Sequence, residues 1–163
     1  MNKTKKYLKE YETLTGKIER CRERIEQIEA SLQRSVELDG MPRGTRTGNP
    51  TQDTAIKLAS IKARLILIKM DAELTKQTIA DEIERMETPT YKELLYSRYI
   101  KLMTWEEVTD RVSIGRKERY DSKHVSGYMH DRALREFERS NDDSKRSNNT
   151  VGNHSHEYGR QTL

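Results

Sequence analysis

A lone cysteine, three prolines and one phenylalanine in 163 residues leave little material for bridges, kinks or bulky packing. One cysteine excludes an intramolecular disulfide framework and suits a reducing cytosol. No apolar run approaches the ~20 residues that a membrane span needs. The Lys-rich start leads into a charged helix, where a signal peptide would be apolar. A cytoplasmic protein is therefore expected. Only 33% of residues are hydrophobic against 36% charged, so one thick globular core is excluded. Charge of a single sign is also scarce: the net charge of +4 permits a nucleic-acid partner without demanding one.

Chemistry is absent as well. No serine stands in a spacing that suggests a Ser/His/Asp arrangement, and Glu106-Glu107 have a simpler role complementing a helix dipole. The glycine-bearing stretch GMPRGTRTGNP has no preceding strand and no following Gly-Lys-Ser/Thr, which excludes a phosphate-binding P-loop. His154, His156 and Glu157 sit on a polar strip without a structured frame and make a poor metal set. No enzyme activity, cofactor or metal is expected.

What remains is rich in Glu, Lys, Arg, Ile and Leu, the balance of long helices burying narrow stripes. From Tyr7, the positions Tyr11, Leu14, Ile18, Cys21, Ile25, Ile28 and Leu32 alternate by four and three, a heptad seam. Such a seam must meet another helix, in the same chain or in a second copy. Cys21 reads as a small apolar seam residue, or as a thiol facing its twin in a parallel dimer. Gly40, Pro42, Gly44, Gly48 and Pro50 break the helix over a loop at 39–51, read as a flexible turn in preference to the rival reading in which Arg43 and Arg46 touch a nucleic-acid backbone.

A second long helix follows from Gln52 to Met86. One stripe runs Leu58, Ile61, Leu65, Ile68, Ala72, Ile79, Ile83 and Met86. A neighbouring one runs Ile56, Ala59, Ala63, Ile66 and Met70, which widens the apolar arc enough to want two neighbours. Both helices are near 35 residues, roughly 50 Å at ~1.5 Å rise. The expectation for 1–87 is a long, coiled-coil-like antiparallel hairpin. Its oligomer interface candidates are Leu14, Ile18, Cys21, Ile25 and Ile28 on the first helix, and Ile56, Ala59, Ala63, Ile66 and Met70 on the second.

The stretch 88–139 reads as three short helices around a small apolar centre. Pro89 opens the first. Thr104-Trp-Glu-Glu107 is a capping box. Asp121 and Ser122 offer another N-cap, after which Val125, Met129, Ala133 and Phe137 follow at steps of four. Two capped helices of this kind are the plan of a helix-turn-helix. The fold class expected is thus all-α: the hairpin, the small C-terminal unit, and a disordered polar tail at 140–163.

Within the second capped helix, Ser122, Lys123, His124, Ser126 and Gly127 are the candidates for base edges. Gly127 reads either as a close backbone approach to DNA or as a weak helix. Phosphate candidates are Thr104, Arg111, Arg116, Lys117, Arg119, His130 and Arg132. The cluster from Arg111 to Lys123 is read as a basic arm beside the recognition helix, against the plainer reading of a solvated loop.

LLYSRYI, TWEEV, a Tyr and an acid or hydroxyl before HV, and HDRAL together resemble the C-terminal part of the RinA/ArpU-like late transcriptional regulators of phages of Gram-positive bacteria. That part is itself similar to the promoter-reading helix-turn-helix of bacterial sigma factors. The architecture of residues 1–138 resembles the family; its specific motifs lie in 91–134. Two departures stand out: several extra residues between Val112 and Tyr120, and one extra between Val125 and Ala133-Leu134. The resemblance implies an activator of late packaging and morphogenesis genes, acting in the cytoplasm of a bacterial host. Its implied partners are double-stranded DNA, host RNA polymerase and further copies of itself. Two rivals stand beside it: a sigma-like adaptor on RNA polymerase that reads no DNA, and a small terminase-like packaging subunit.

Overall fold

The structure, a computed structural model, describes residues 3–37 and 50–152, with side chains for 3–34 and 52–142. It is helical, with no strand among the described residues. In chain order the helices are α1 (Lys3–Leu8), α2 (Glu10–Glu37), α3 (Pro50–Glu84), α4 (Pro89–Leu95), α5 (Trp105–Val112), α6 (Ser122–His124) and α7 (His130–Gly152). Two π-helical turns join them: Tyr96–Ile100 prolongs α4, and Val125–Met129 links α6 to α7 without a break. None of these helices is long and apolar enough to cross a membrane. The loop at 39–51 with Arg43 and Arg46, and the histidines at 154 and 156, lie outside the described residues, apart from the start of α3 at Pro50. Proline at a helix start loses no bond, since its N–H would be unpaired there anyway.

The described residues form two compact units. One spans Glu10–Thr75. In it Leu14 and Ile25 of α2 and Ala72 of α3 are buried, while Ile18, Cys21, Ile28, Leu58, Ile61, Leu65 and Ile68 are half-buried. Lys62 and Glu29 close an ion pair at 2.7 Å. Cys21, a free thiol, shares a cleft with Ile61 and Ile68. Of the oligomer interface candidates on α2, Leu14 and Ile25 are thus buried within this unit and Ile18, Cys21 and Ile28 partly so, in line with the same-chain alternative for the seam's partner. The second α3 stripe stays in water: Ile56, Ile66, Leu67, Met70 and Leu74 are each about 60–70% exposed, and Ala59 and Ala63 are exposed too.

The other unit takes in the residues up to Lys9 and those from Lys76 onward, and so exceeds the stretch 88–139. Leu8, Ile79 and Ile83 are fully buried in it beside Leu94, Leu95, Val108 and Val125. Tyr7 packs its ring 6.5 Å from that of Phe137. Apolar side chains that water cannot reach belong to the core whatever their place in the chain. The start of α4 is held from afar: Glu136 accepts from the backbone N–H of Glu87 and Thr88, at 2.9 and 2.8 Å, and from the Thr88 hydroxyl at 2.7 Å. Burial raises the Glu136 pKa, but these hydrogen bonds outweigh it and hold the carboxyl below its usual range.

The π turn at Val125–Met129 keeps the apolar steps of four on one face. Steps of four in an α-helix over-rotate by about 40° each, so four such positions drift off one face. A π turn closes i to i+5 and takes up one more residue, which turns the face back. Val125, Met129, Ala133 and Phe137 all end up buried. The helix also runs to Gly152, into the stretch expected to be disordered. Asn141 is buried there and donates to the Phe137 carbonyl at 2.9 Å, extending the packed face by one more turn.

Candidate nucleic-acid interface

The capping box that starts α5 is formed. Glu107 accepts from the Thr104 N–H at 2.7 Å and from its hydroxyl at 2.8 Å, while the Thr104 hydroxyl oxygen faces the Glu107 N–H at 3.4 Å. The backbone and then the side-chain hydrogen bond from Thr104 hold the Glu107 carboxyl below its usual range. Thr104, a phosphate candidate, thus already spends its N–H and hydroxyl on the cap.

The long turn after α5 folds back on itself. Gly115 has φ +80°, where a side chain would be strained. The Ser113 hydroxyl donates to the Thr109 carbonyl at 2.7 Å and accepts from the Tyr120 N–H at 3.0 Å, which ties the two ends of the turn together. The basic residues here separate into two groups. Arg111 is paired with Glu93 at 2.8 Å and Arg119 with Asp110. Arg116 instead lies over the Tyr120 ring at 4.3 Å, and Lys117 is exposed; neither has an ion-pair partner among the described residues.

Asp121 then caps the next helix, accepting from the His124 N–H at 3.1 Å. Val125 and Met129 turn inward against α5, where Val108 and Val112 are buried. Lys123, His124, Gly127 and Tyr128 are left on the water side, with Ser122 and Ser126 half-buried at its margin. The five base-edge candidates therefore share the outer part of the first two turns. Arg132 follows on the exposed side, next to the acid Asp131.

His130 does not belong to this edge. It is 2% exposed, its Nε2 is 2.9 Å from the Tyr99 hydroxyl, and the Trp105 ring meets it edge-on with centroids 5.0 Å apart. Burial first, and then the charge of Lys5, lower its pKa from 6.5 to about 4. A neutral, enclosed imidazole cannot grip phosphate, so the expectation for His130 is corrected: it is a core residue. Trp105 has Arg98 lying 5.2 Å over its ring and packs against His130.

Tyr120 and Tyr128 were not among the candidates, yet they flank His124. The ring centroids of Tyr120 and His124 are 6.1 Å apart, those of His124 and Tyr128 5.3 Å, and Arg132 lies 4.9 Å over Tyr128. The signal in the sequence was a bare spacing of four, from Arg116 through Tyr120, His124 and Tyr128 to Arg132.

Elsewhere in this unit, a cleft of about 370 Å³ holds Glu82 and Asn141, each with a buried oxygen lacking a hydrogen-bond partner among the described residues. No group of His, Cys, Asp and Glu among the described residues is arranged to hold a metal. Comparison of the chain with protein-family models, with curated proteins and with solved structures gives no significant match.

Proposed function

We propose that the protein is a phage- or prophage-encoded transcriptional regulator that binds operator DNA through a C-terminal helix-turn-helix and activates late packaging and morphogenesis genes. The observation that carries this reading is the outer edge of the helix starting at Ser122. Its capped first turns present Lys123, His124 and Gly127 to water, and Arg116 and Lys117, on the arm just before it, have no ion-pair partner among the described residues. Such a helix fits a major groove about 12 Å wide. Lysine and hydroxyl groups at its start reach base edges, while the arm neutralises backbone charge.

The remaining helices serve assembly on this reading. α2 and α3 make a coiled-coil-like antiparallel hairpin, an arrangement consistent with the Lys62–Glu29 pair and with the burial of Leu14 and Ile25. The exposed stripe from Ile56 to Met70 joins it to a further copy, and the hairpin presents a surface to host RNA polymerase. A symmetric dimer reads two half-sites at a spacing fixed by its own geometry.

The test is binding of the purified protein to the DNA upstream of its own gene and to random duplex, over a range of salt. Retardation of both at low ionic strength, with preference for one sequence, is expected. The double variant Arg116→Ala, Lys117→Ala weakens binding to every sequence and flattens the log–log salt dependence, by about 0.9 for each lost phosphate contact. Lys123→Ala instead lowers the preference for operator over random DNA. No retardation of either duplex at low salt overturns the reading and leaves the polymerase adaptor in its place.

A further inference from the structure

We propose that Arg116, Tyr120, His124, Tyr128 and Arg132 form one rigid clamp for the phosphates of duplex DNA, in which three rings fix a guanidinium at each end of the reading edge. The proposal rests on the DNA-binding reading above. It gives His124 a different duty from base reading and brings in two tyrosines.

The geometry is a continuous ladder. Arg116 lies over Tyr120 at 4.3 Å, Tyr120 stacks on His124 at 6.1 Å with 19° between planes, His124 meets Tyr128 at 5.3 Å and 32°, and Arg132 lies over Tyr128 at 4.9 Å. Its rungs come from two segments: Arg116 and Tyr120 from the folded-back turn, whose ends the Ser113–Tyr120 hydrogen bond ties together, and His124, Tyr128 and Arg132 from the helix that follows. Tyr128 is 54% exposed, so burial does not account for its place.

The two terminal arginines differ from their neighbours in what they have left to offer. Arg111 and Arg119 give donors to Glu93 and Asp110. A guanidinium above a ring is attracted through the ring's quadrupole and keeps its in-plane N–H groups for an anion. An arginine gripping phosphate from free solution also loses rotamer freedom, whereas one already laid on a ring has lost much of it beforehand. Both ends carry positive charge, and Arg116 and Arg132 are exposed, as is Lys123. A phosphate backbone on either side of a groove is the ligand that matches two separated, donor-rich cations.

The test uses the full-length protein and a random-sequence duplex, with affinity followed by fluorescence anisotropy across a salt series. Arg132→Ala is expected to lower the salt slope by about 0.9. Tyr128→Ala, which leaves every charge in place, is expected to weaken binding about fivefold, while Tyr128→Phe binds as the parent does. In the Arg132→Ala background Tyr128→Ala should cost nothing more, because there is no longer a cation for the ring to hold. A far-ultraviolet melt of each variant accompanies the titration, and unchanged midpoints assign the losses to binding. Full affinity in Tyr128→Ala, or an equal loss in both backgrounds, overturns the clamp while leaving DNA binding standing. A parent protein that ignores duplex at every salt concentration overturns the DNA-binding reading, and the clamp with it.

Discussion

His130 shows how one side chain sets the chemistry of its surroundings. It is enclosed by Tyr99 and Trp105, with Lys5 and Arg98 adding positive charge and Asp131 opposing them. Its pKa in the folded protein, about 4, lies below the ordinary 6.5, so the unfolded chain binds the proton more readily. Stability from this residue is therefore fully present above pH 6.5 and is lost as pH falls towards 4. The thermal midpoint should drop between pH 7 and pH 5, and His130→Gln should flatten that drop. Equal pH slopes in parent and variant would show that the imidazole is not kept neutral. Sequence reading placed His130 on phosphate because its enclosure depends on Tyr99, 31 residues earlier, and no local pattern reveals so distant a partner.

At the scale of the element, what was legible in the sequence was what neighbours decide among themselves. The capping box at Thr104 and the cap at Asp121 each involve residues three apart, and both are formed. Thr104→Ala should cost about 1 kcal/mol of stability in denaturant unfolding, the ordinary value of a lost cap. The π turn was not legible in this way. It needs the core, because only packing decides that Val125 and Phe137 must share a face. Gly127 sits inside that turn, exposed, with nothing within 4 Å of where a Cβ would stand. Gly127→Ala should therefore stabilise the protein by roughly 0.5–1 kcal/mol, since glycine gives up the most freedom on folding. If the backbone there approaches DNA closely, the same variant should bind operator more weakly. Stabilisation with undiminished binding would make Gly127 merely a weak point of the helix.

For the whole molecule, stripe width was the legible signal: the second α3 stripe, expected as a face left over for a further neighbour, is the exposed one. Leu14 and Ile25 of the α2 seam are buried within their unit and the rest of the seam is half-buried, whereas the Ile56–Met70 stripe is exposed. Ile66→Glu with Met70→Glu should thus lower the mass seen in sedimentation if a second copy covers that face, with no loss of helicity. The limits of the C-terminal unit escaped sequence reading. Leu8 lies at the opposite end of the chain from Phe137, and only folding brings that end into the same core. A fragment of 88–139 lacks Leu8, Ile79 and Ile83, each fully buried in the intact chain, and should melt without a cooperative transition.

The Glu136 carboxylate over Thr88, and Thr4 bonded to Glu138, set an order on events at the ribosome. Thr4 and Thr88 are made well before the acids that bond them, Glu138 and Glu136. Until translation has passed Phe137 and Glu138, the nascent polypeptide lacks the α7 residues that complete the core around Leu8 and Leu94, a period in which a holding chaperone has something to grasp.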